Sequence, residues 1–232
     1  MYEEGVAVNE LATGHELRRL PFGLDVGIYL RSEAALLTGL PKSTVRRWLQ
    51  LERGDEHIVA VARQPLVSFP DLVSLRAVAA LKRAGMSVGK IKEGVDFMRR
   101  ELGLDRPLAS EDLKTDGVNL YFPEARGLLI TVSAGGQMAA QELVASYLRD
   151  VKYKPLAGNH RLAVSWEPPG VRIDPLIQHG APSVDVSRVE IALLKRYIDA
   201  GDSPEYLAEL YELDVADVRR AVSWYESPKL AA

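Results

Sequence analysis

A short run near the N-terminus, residues 32–50, constrains the fold most strongly, because its small and apolar positions have the spacing of two crossed helices. Gly39 follows Ala35 by four residues, and Val45 and Trp48 return at helical spacing. A small residue lets the second helix cross closely, a glycine permits the left-handed turn, and the apolar pair packs inward. We therefore predict a helix over 33–37 with Ser32 as its N-cap, a turn over 38–41, and a second helix over 42–51.

The outer face of the second predicted helix is polar and cationic. A helix-turn-helix inserts such a face into the major groove, where arginine and lysine meet phosphates and base edges. We predict that this face reads double-stranded DNA and that nearby arginines neutralise phosphates. The predicted DNA-binding residues are Lys42, Ser43, Thr44, Arg46, Arg47 and Gln50 on the helix, with Arg31, Arg53 and Arg63 beside it. The alternative interpretation is a helical hairpin whose arginines are merely solvated.

Turn residues and changes of period divide the rest of the chain. β-branched residues over 58–69, interrupted by Pro65, predict a hairpin or wing, and helical spacing over 72–84 and 88–102 predicts two helices. We therefore predict an N-terminal extension over 1–27, a DNA-binding domain over 28–103, a mixed segment over 104–167 and a helical domain over 168–232. Within the last two we expect strands at 118–122, 128–132 and 162–166, and helices at 137–152, 189–200, 204–211 and 215–226.

The predicted fold class is therefore mainly α with small β elements. It is a winged helix-turn-helix followed by a small mixed α/β segment, which could serve dimerisation, and a C-terminal three-helix domain.

Charge and cysteine content restrict the partners. Residues 1–100 hold 15 basic and 12 acidic side chains, a net +3, whereas residues 101–232 hold 14 and 20, a net -6. This asymmetry favours two different partners for the two halves. The chain has no cysteine, which excludes disulfides and thiolate metal sites, and it lacks a signal peptide pattern and a long apolar run. We expect a cytoplasmic protein without a membrane partner.

Residues 28–102 resemble the DNA-binding domain of MerR-type regulators. The resemblance rests on the helix-turn-helix, the following wing, and a helix pair that contains Gly85-Met86-Ser87 and Ile91. It implies a winged helix-turn-helix that binds operator DNA as a homodimer on an inverted repeat.

Residues 171–226 resemble the small antitoxin-like domain of domain-of-unknown-function family 433. His179-Gly180-Ala181-Pro182 and Ala200-Gly201-Asp202-Ser203-Pro204-Glu205 carry this resemblance. Ser203 or Asp202 can cap the helix that Pro204 begins, so the same residues also predict a helix start.

Together the two halves resemble VapB-type antitoxins of the larger, two-domain kind. That resemblance implies a partner, a PIN-domain ribonuclease toxin that cleaves RNA with clustered carboxylates and Mg²⁺. An antitoxin can silence such a site by covering it or by inserting a cation among the carboxylates. The candidate toxin-binding residues are the cations Arg188, Lys195, Arg196, Arg219 and Arg220, with Trp224 and Tyr225 as apolar anchors.

No pattern in the sequence predicts an enzyme. The four histidines are scattered, and neither a nucleophile elbow nor a phosphate-binding loop is present, so we expect no catalytic residue, no metal and no cofactor. The leading interpretation is an antitoxin that represses its own operon. Two alternatives remain open: a ligand-responsive, one-component MerR-like regulator without a toxin, and a structural interaction protein that binds no DNA.

Overall fold

A computed structural model describes residues 24, 26–53, 66–102, 106–111, 145–155 and 161–227. Helices dominate these residues, and two small antiparallel sheets accompany them, which confirms the predicted fold class. The extension over 1–23, most of the wing, the strands at 118–122 and 128–132, and Arg63 lie outside the described residues. The four domain boundaries remain predictions.

The helix-turn-helix forms as the spacing predicts. Helix α1 spans Arg31–Thr38 and helix α2 spans Lys42–Arg53. Gly39 ends α1 at a φ of 69°, the left-handed region that a residue without Cβ adopts most easily. Ser32 is not the N-cap, because the helix begins two residues earlier than predicted. Leu30 is the N-cap, and the Glu33 carboxylate accepts its backbone N–H at 2.6 Å.

The central helix of the N-terminal half, α3, spans Phe69–Arg83 and is buried along nearly its whole length. Ser68 caps it, because its hydroxyl accepts the N–H of Asp71 at 3.3 Å. The helix therefore starts before the predicted residue 72. In the described part of the predicted wing over 58–69, Val67 forms one antiparallel bridge with Tyr29. Helix α4 spans Val88–Leu102, the predicted range.

A two-stranded antiparallel sheet follows, formed by β1 (Val151–Pro155) and β2 (Arg161–Trp166). The prediction of a helix over 137–152 is wrong at its end, because residues 145–148 are helical but Val151 begins the strand. Val151 and Tyr153 are buried while the lysines between and after them are exposed, which is the period of two typical of a half-buried strand. The strand at 162–166 is confirmed.

The C-terminal module begins with a short hairpin of β3 (Val171–Arg172) and β4 (Ser183–Val184). Three helices follow it: α5 (Ile191–Asp199), α6 (Pro204–Leu210) and α7 (Val215–Glu226). Their shared core is fully buried and apolar, and it includes Ile191, Leu194, Leu207, Val218 and Ala221.

The two halves meet at a tight turn over Gln178–Gly180. Gly180 has a φ of 80°, and a Cβ built there would lie 2.4 Å from the hydroxyl oxygen of Tyr29. The Tyr29 side chain is buried, and its hydroxyl has no hydrogen-bond partner among the described residues. Desolvation raises the pKa of this hydroxyl well above its ordinary value, and the nearby carboxylates of Asp174 and Glu33 raise it further. Tyr29 is therefore a neutral group held against a position that has no room for a side chain.

Candidate nucleic-acid interface and C-terminal module

The outer face of α2 is cationic and accessible to solvent. Val45 and Trp48 are fully buried and fix the helix on the core, so the opposite face points outward. Five of the predicted DNA-binding residues are exposed on α2: Lys42, Ser43, Arg46, Arg47 and Gln50. The fold therefore brings these five side chains to one helix surface.

The three cations of this surface, Lys42, Arg46 and Arg47, form no ion pair with any other residue that the structure describes. No carboxylate in the described ranges neutralises their charges. Such a surface attracts a polyanion, because phosphates can replace the solvent around each cation and release counterions.

Thr44 does not share the outer face, in contrast to the prediction. Its side chain is buried, and its hydroxyl accepts a hydrogen bond from the Lys82 ammonium at 3.3 Å. The reason is its position on the side of α2 that turns toward the end of α3. Lys82 and the exposed Arg83 are therefore basic residues beside α2 that the sequence analysis did not select. The Lys-Arg pair just before Gly85 was the available signal.

The remaining predicted DNA contacts are Arg31, Arg53 and Arg63. Arg31 is half-buried at the start of α1, and its Nε lies in the interior without a hydrogen-bond partner among the described residues. Arg53 is the last residue of α2, and Arg63 lies outside the described ranges. Among the described side chains, the predicted DNA contacts that share one surface are Lys42, Ser43, Arg46, Arg47 and Gln50.

Three of the predicted toxin-binding cations already have carboxylate partners within the module. Lys195 pairs with Asp199 and lies 3.2 Å from Glu226. Hydrogen bonding to Asp199 is the main cause of the raised pKa of Lys195. The other two pairs are Arg219 with Glu205 and Arg220 with Asp217, the latter at 2.7 Å. Lys195 thereby connects α5 to α7 and Arg219 connects α7 to α6, whereas Arg220 pairs within α7.

Arg188 and Arg196 are exposed and form no ion pair with a described residue. The carbonyl oxygen of Arg188 accepts a hydrogen bond from the Gln178 amide at 3.0 Å, which fixes its backbone and leaves the guanidinium outside. The Arg196 guanidinium carbon lies 5.9 Å from the ring centroid of Tyr197. Of the five predicted cations, these two retain uncompensated charge.

The predicted aromatic anchors are half-buried instead of exposed. Trp224 packs edge-to-face on Trp166 of β2, with ring centroids 5.5 Å apart and an interplanar angle of 65°. Tyr225 packs against the buried core of the same chain. Trp224 therefore joins the C-terminal module to the sheet, a role that the isolated sequence could not indicate.

A buried arginine continues this contact into the N-terminal half. The guanidinium carbon of Arg76, in the middle of α3, lies 3.5 Å from the ring centroid of Trp166. Its Nε and Nη2 donate to the Tyr147 carbonyl oxygen at 3.1 and 2.5 Å. Burial lowers the pKa of Arg76, because the charged form loses its hydration. Arg76, Trp166 and Trp224 thus form a continuous stack from α3 to α7, which we call the Arg-Trp-Trp stack.

Residues 171–225 match the family described as protein of unknown function DUF433. The predicted resemblance of that region is thereby confirmed, and the match covers the hairpin of β3 and β4 with helices α5 to α7. The name of this family assigns no activity.

Two mycobacterial proteins are similar over most of the chain. The uncharacterized protein Rv2308 of Mycobacterium tuberculosis is 25% identical over 228 residues, covering 90% of this chain and 94% of that protein. The crystal structure of Rv2018 from the same species has a TM-score of 0.62 at 22% identity, over 85% of this chain and 98% of that one. The second likeness establishes a shared fold.

Neither a metal cluster nor a membrane helix emerges from the described ranges. There, no group of three histidines and carboxylates could hold a metal ion. No helix in the same ranges is long and apolar enough to cross a membrane.

Proposed function

We propose that this chain is an antitoxin that binds operator DNA through α2 and a PIN-domain ribonuclease toxin through its C-terminal module. The observation that carries the proposal is the surface formed by Lys42, Arg46 and Arg47, whose charges have no partner among the described residues. Three uncompensated cations on the second helix of a helix-turn-helix favour insertion into a major groove.

Further basic residues support the DNA-binding half of the proposal. Lys82 lies within hydrogen-bond distance of Thr44, so it stands beside the N-terminal turn of α2, and Arg83 follows it. These residues extend the cationic surface toward the backbone of a duplex held in that groove. The MerR-type resemblance of residues 28–102 supports the same arrangement, with a homodimer on an inverted repeat.

The toxin-binding half rests on the C-terminal module. This module is the region whose sequence resembles the antitoxin-like domain, and Arg188 and Arg196 are the cations available to approach the carboxylates of a ribonuclease. In this proposal the chain itself is not an enzyme, and it acts in the cytoplasm on an operon that encodes both partners.

The α2 surface is tested by the double variant Arg46→Ala/Arg47→Ala on a duplex that spans the promoter of the chain's own gene. We expect an affinity loss on the order of 100-fold, because each arginine supplies a phosphate or base contact. The slope of log affinity against log salt should also decrease by up to about two. A mobility shift at several salt concentrations measures both quantities.

The matched control is Lys152→Ala/Arg188→Ala, which removes the same net charge from exposed positions outside α2. It should bind the duplex nearly as tightly as the wild type. Equal losses in the two double variants would contradict a specific role of α2 and indicate a general charge effect.

Toxin neutralisation is tested by co-expressing the chain with the product of the adjacent reading frame. Arg188→Ala/Arg196→Ala should weaken growth rescue, whereas Arg46→Ala/Arg47→Ala should retain it, because the two surfaces lie on different modules. A growth curve after toxin induction measures the rescue. If only the α2 variant lost rescue, the toxin site would lie in the N-terminal half.

A further inference from the structure

The C-terminal module exposes an apolar surface that the internal ion pairs do not use. Tyr206 and Leu210 of α6 are 53% and 51% exposed, and their four-residue spacing places them side by side on one face. The half-buried side chains of Tyr197 and Tyr211 adjoin them. Desolvation, followed by the interaction with Tyr197, raises the pKa of the Tyr211 hydroxyl, and Tyr206 contributes in the same direction. We call Tyr197, Tyr206, Leu210 and Tyr211 the tyrosine-leucine face.

The surroundings of this face are acidic. Residues 199–214 contain no lysine or arginine and six acidic residues: Asp199, Asp202, Glu205, Glu209, Glu212 and Asp214. Asp199 and Glu205 pair with Lys195 and Arg219, and Asp214 caps α7. Glu209 and Glu212 are exposed and pair with no described cation. Arg196 is a cation beside this face, next to Tyr197.

This combination selects the shape and charge of what can bind. A row of side chains at i and i+4 forms the ridge that packs into the groove of another helix. Tyrosine is enriched where binding energy concentrates, because its ring buries a large area with few rotatable bonds. Unpaired carboxylates at the rim favour basic residues on the incoming partner and repel acidic ones.

We propose that the tyrosine-leucine face docks an amphipathic helix of a partner protein whose apolar stripe is flanked by lysine and arginine. The inference rests on the proposed function and deepens it, because it gives the toxin an apolar anchor on α6. Trp224 and Tyr225, which pack inward, then serve the module's own structure. Glu209 and Glu212 orient the basic flanks of the docked helix.

The probe for this test is a fluorescein-labelled synthetic 18-residue helix with leucine on one face and lysine on both flanks. Fluorescence anisotropy with the full chain should report saturable binding. Tyr206→Ala/Leu210→Ala should weaken it by at least about tenfold, since both truncations remove exposed anchors. Glu209→Gln/Glu212→Gln should weaken it less and reduce its salt dependence.

Matched controls distinguish specific binding at this face from nonspecific hydrophobic binding. Leu176→Ala/Val186→Ala removes two other exposed apolar side chains of the module and should leave peptide binding unchanged. A peptide with glutamate in place of lysine should not bind. Thermal unfolding followed by circular dichroism checks that each variant remains folded.

Absence of peptide binding, equal binding by Tyr206→Ala/Leu210→Ala, or binding of the acidic peptide would overturn the inference. So would a wild-type dimer that this variant converts to a monomer in sedimentation, because the occupant would then be a second copy of the chain. The peptide assay contains neither DNA nor toxin. If Tyr206→Ala/Leu210→Ala lost peptide binding but still rescued growth, the toxin would not use this face. That result would overturn this inference alone and leave the proposed function standing.

Discussion

Replacing Trp166 with alanine is expected to lower the free energy of unfolding by about 3–5 kcal/mol. The indole is only 3% exposed and forms the middle of the Arg-Trp-Trp stack. The substitution removes the packing surface of Trp224 and the aromatic ring over which the Arg76 charge lies. Arg76 would then stay buried with only the carbonyl and the more distant ring of Tyr147 as its remaining described partners, which adds to the loss. Urea unfolding followed by circular dichroism measures this change.

Two variants control this prediction. Trp166→Phe keeps a ring under the guanidinium, so we expect it to cost no more than about half as much as alanine. Trp224→Ala removes the half-buried end of the stack and should also cost less than Trp166→Ala. A Trp166→Ala cost below about 1 kcal/mol would mean that the stack does not hold the two halves together.

Gly180→Ala is expected to destabilise the chain by about 2–4 kcal/mol, with strain and overlap acting together. At a φ of 80°, a side chain of L chirality is strained before any neighbour is considered. The new methyl group would also meet the Tyr29 hydroxyl oxygen at 2.4 Å and the Ile28 side chain at 2.7 Å. Thermal and urea unfolding of the full chain provide the measurement.

Gly85→Ala is the matched control, because Gly85 has a φ of 90° but nothing lies within 4 Å of a Cβ built there. This variant should lose only the part of the free energy of unfolding that comes from backbone strain, about 1–2 kcal/mol. The difference between the two variants then isolates the contact with Tyr29. Equal losses would show that Tyr29 and Ile28 move aside without cost.

Local patterns predicted a large part of the fold. Helix α4 spans the predicted residues, α7 does likewise, and Gly39 adopts the left-handed turn that its position before Pro41 suggested. These features depend on side chains within a few positions of one another, such as Asp214, whose carboxylate accepts the N–H of Ala216. A single sequence contains that information.

Contacts between distant segments could not be predicted in this way. Arg76 stands in an apolar helix, and nothing in its neighbourhood indicates that Trp166, ninety residues later, will lie under its guanidinium. The pair of Arg219 with Glu205 depends likewise on how α6 crosses α7. The same limit applies to the candidate site. The helical period of the sequence predicted the exposed face of α2, but it could not predict which carboxylates pair with the C-terminal cations.

The contact between Tyr29 and Gly180 also bears on how such chains can be recombined. Tyr29 bridges to Val67 just before helix α1, and its ring packs against the backbone of Gly180 in the hairpin loop of the other module. A chimaera that joins this C-terminal module to a different N-terminal domain must therefore supply an equivalent aromatic ring, or another packing surface for the loop. Residues 29 and 180 therefore have to be exchanged as a pair when modules are recombined.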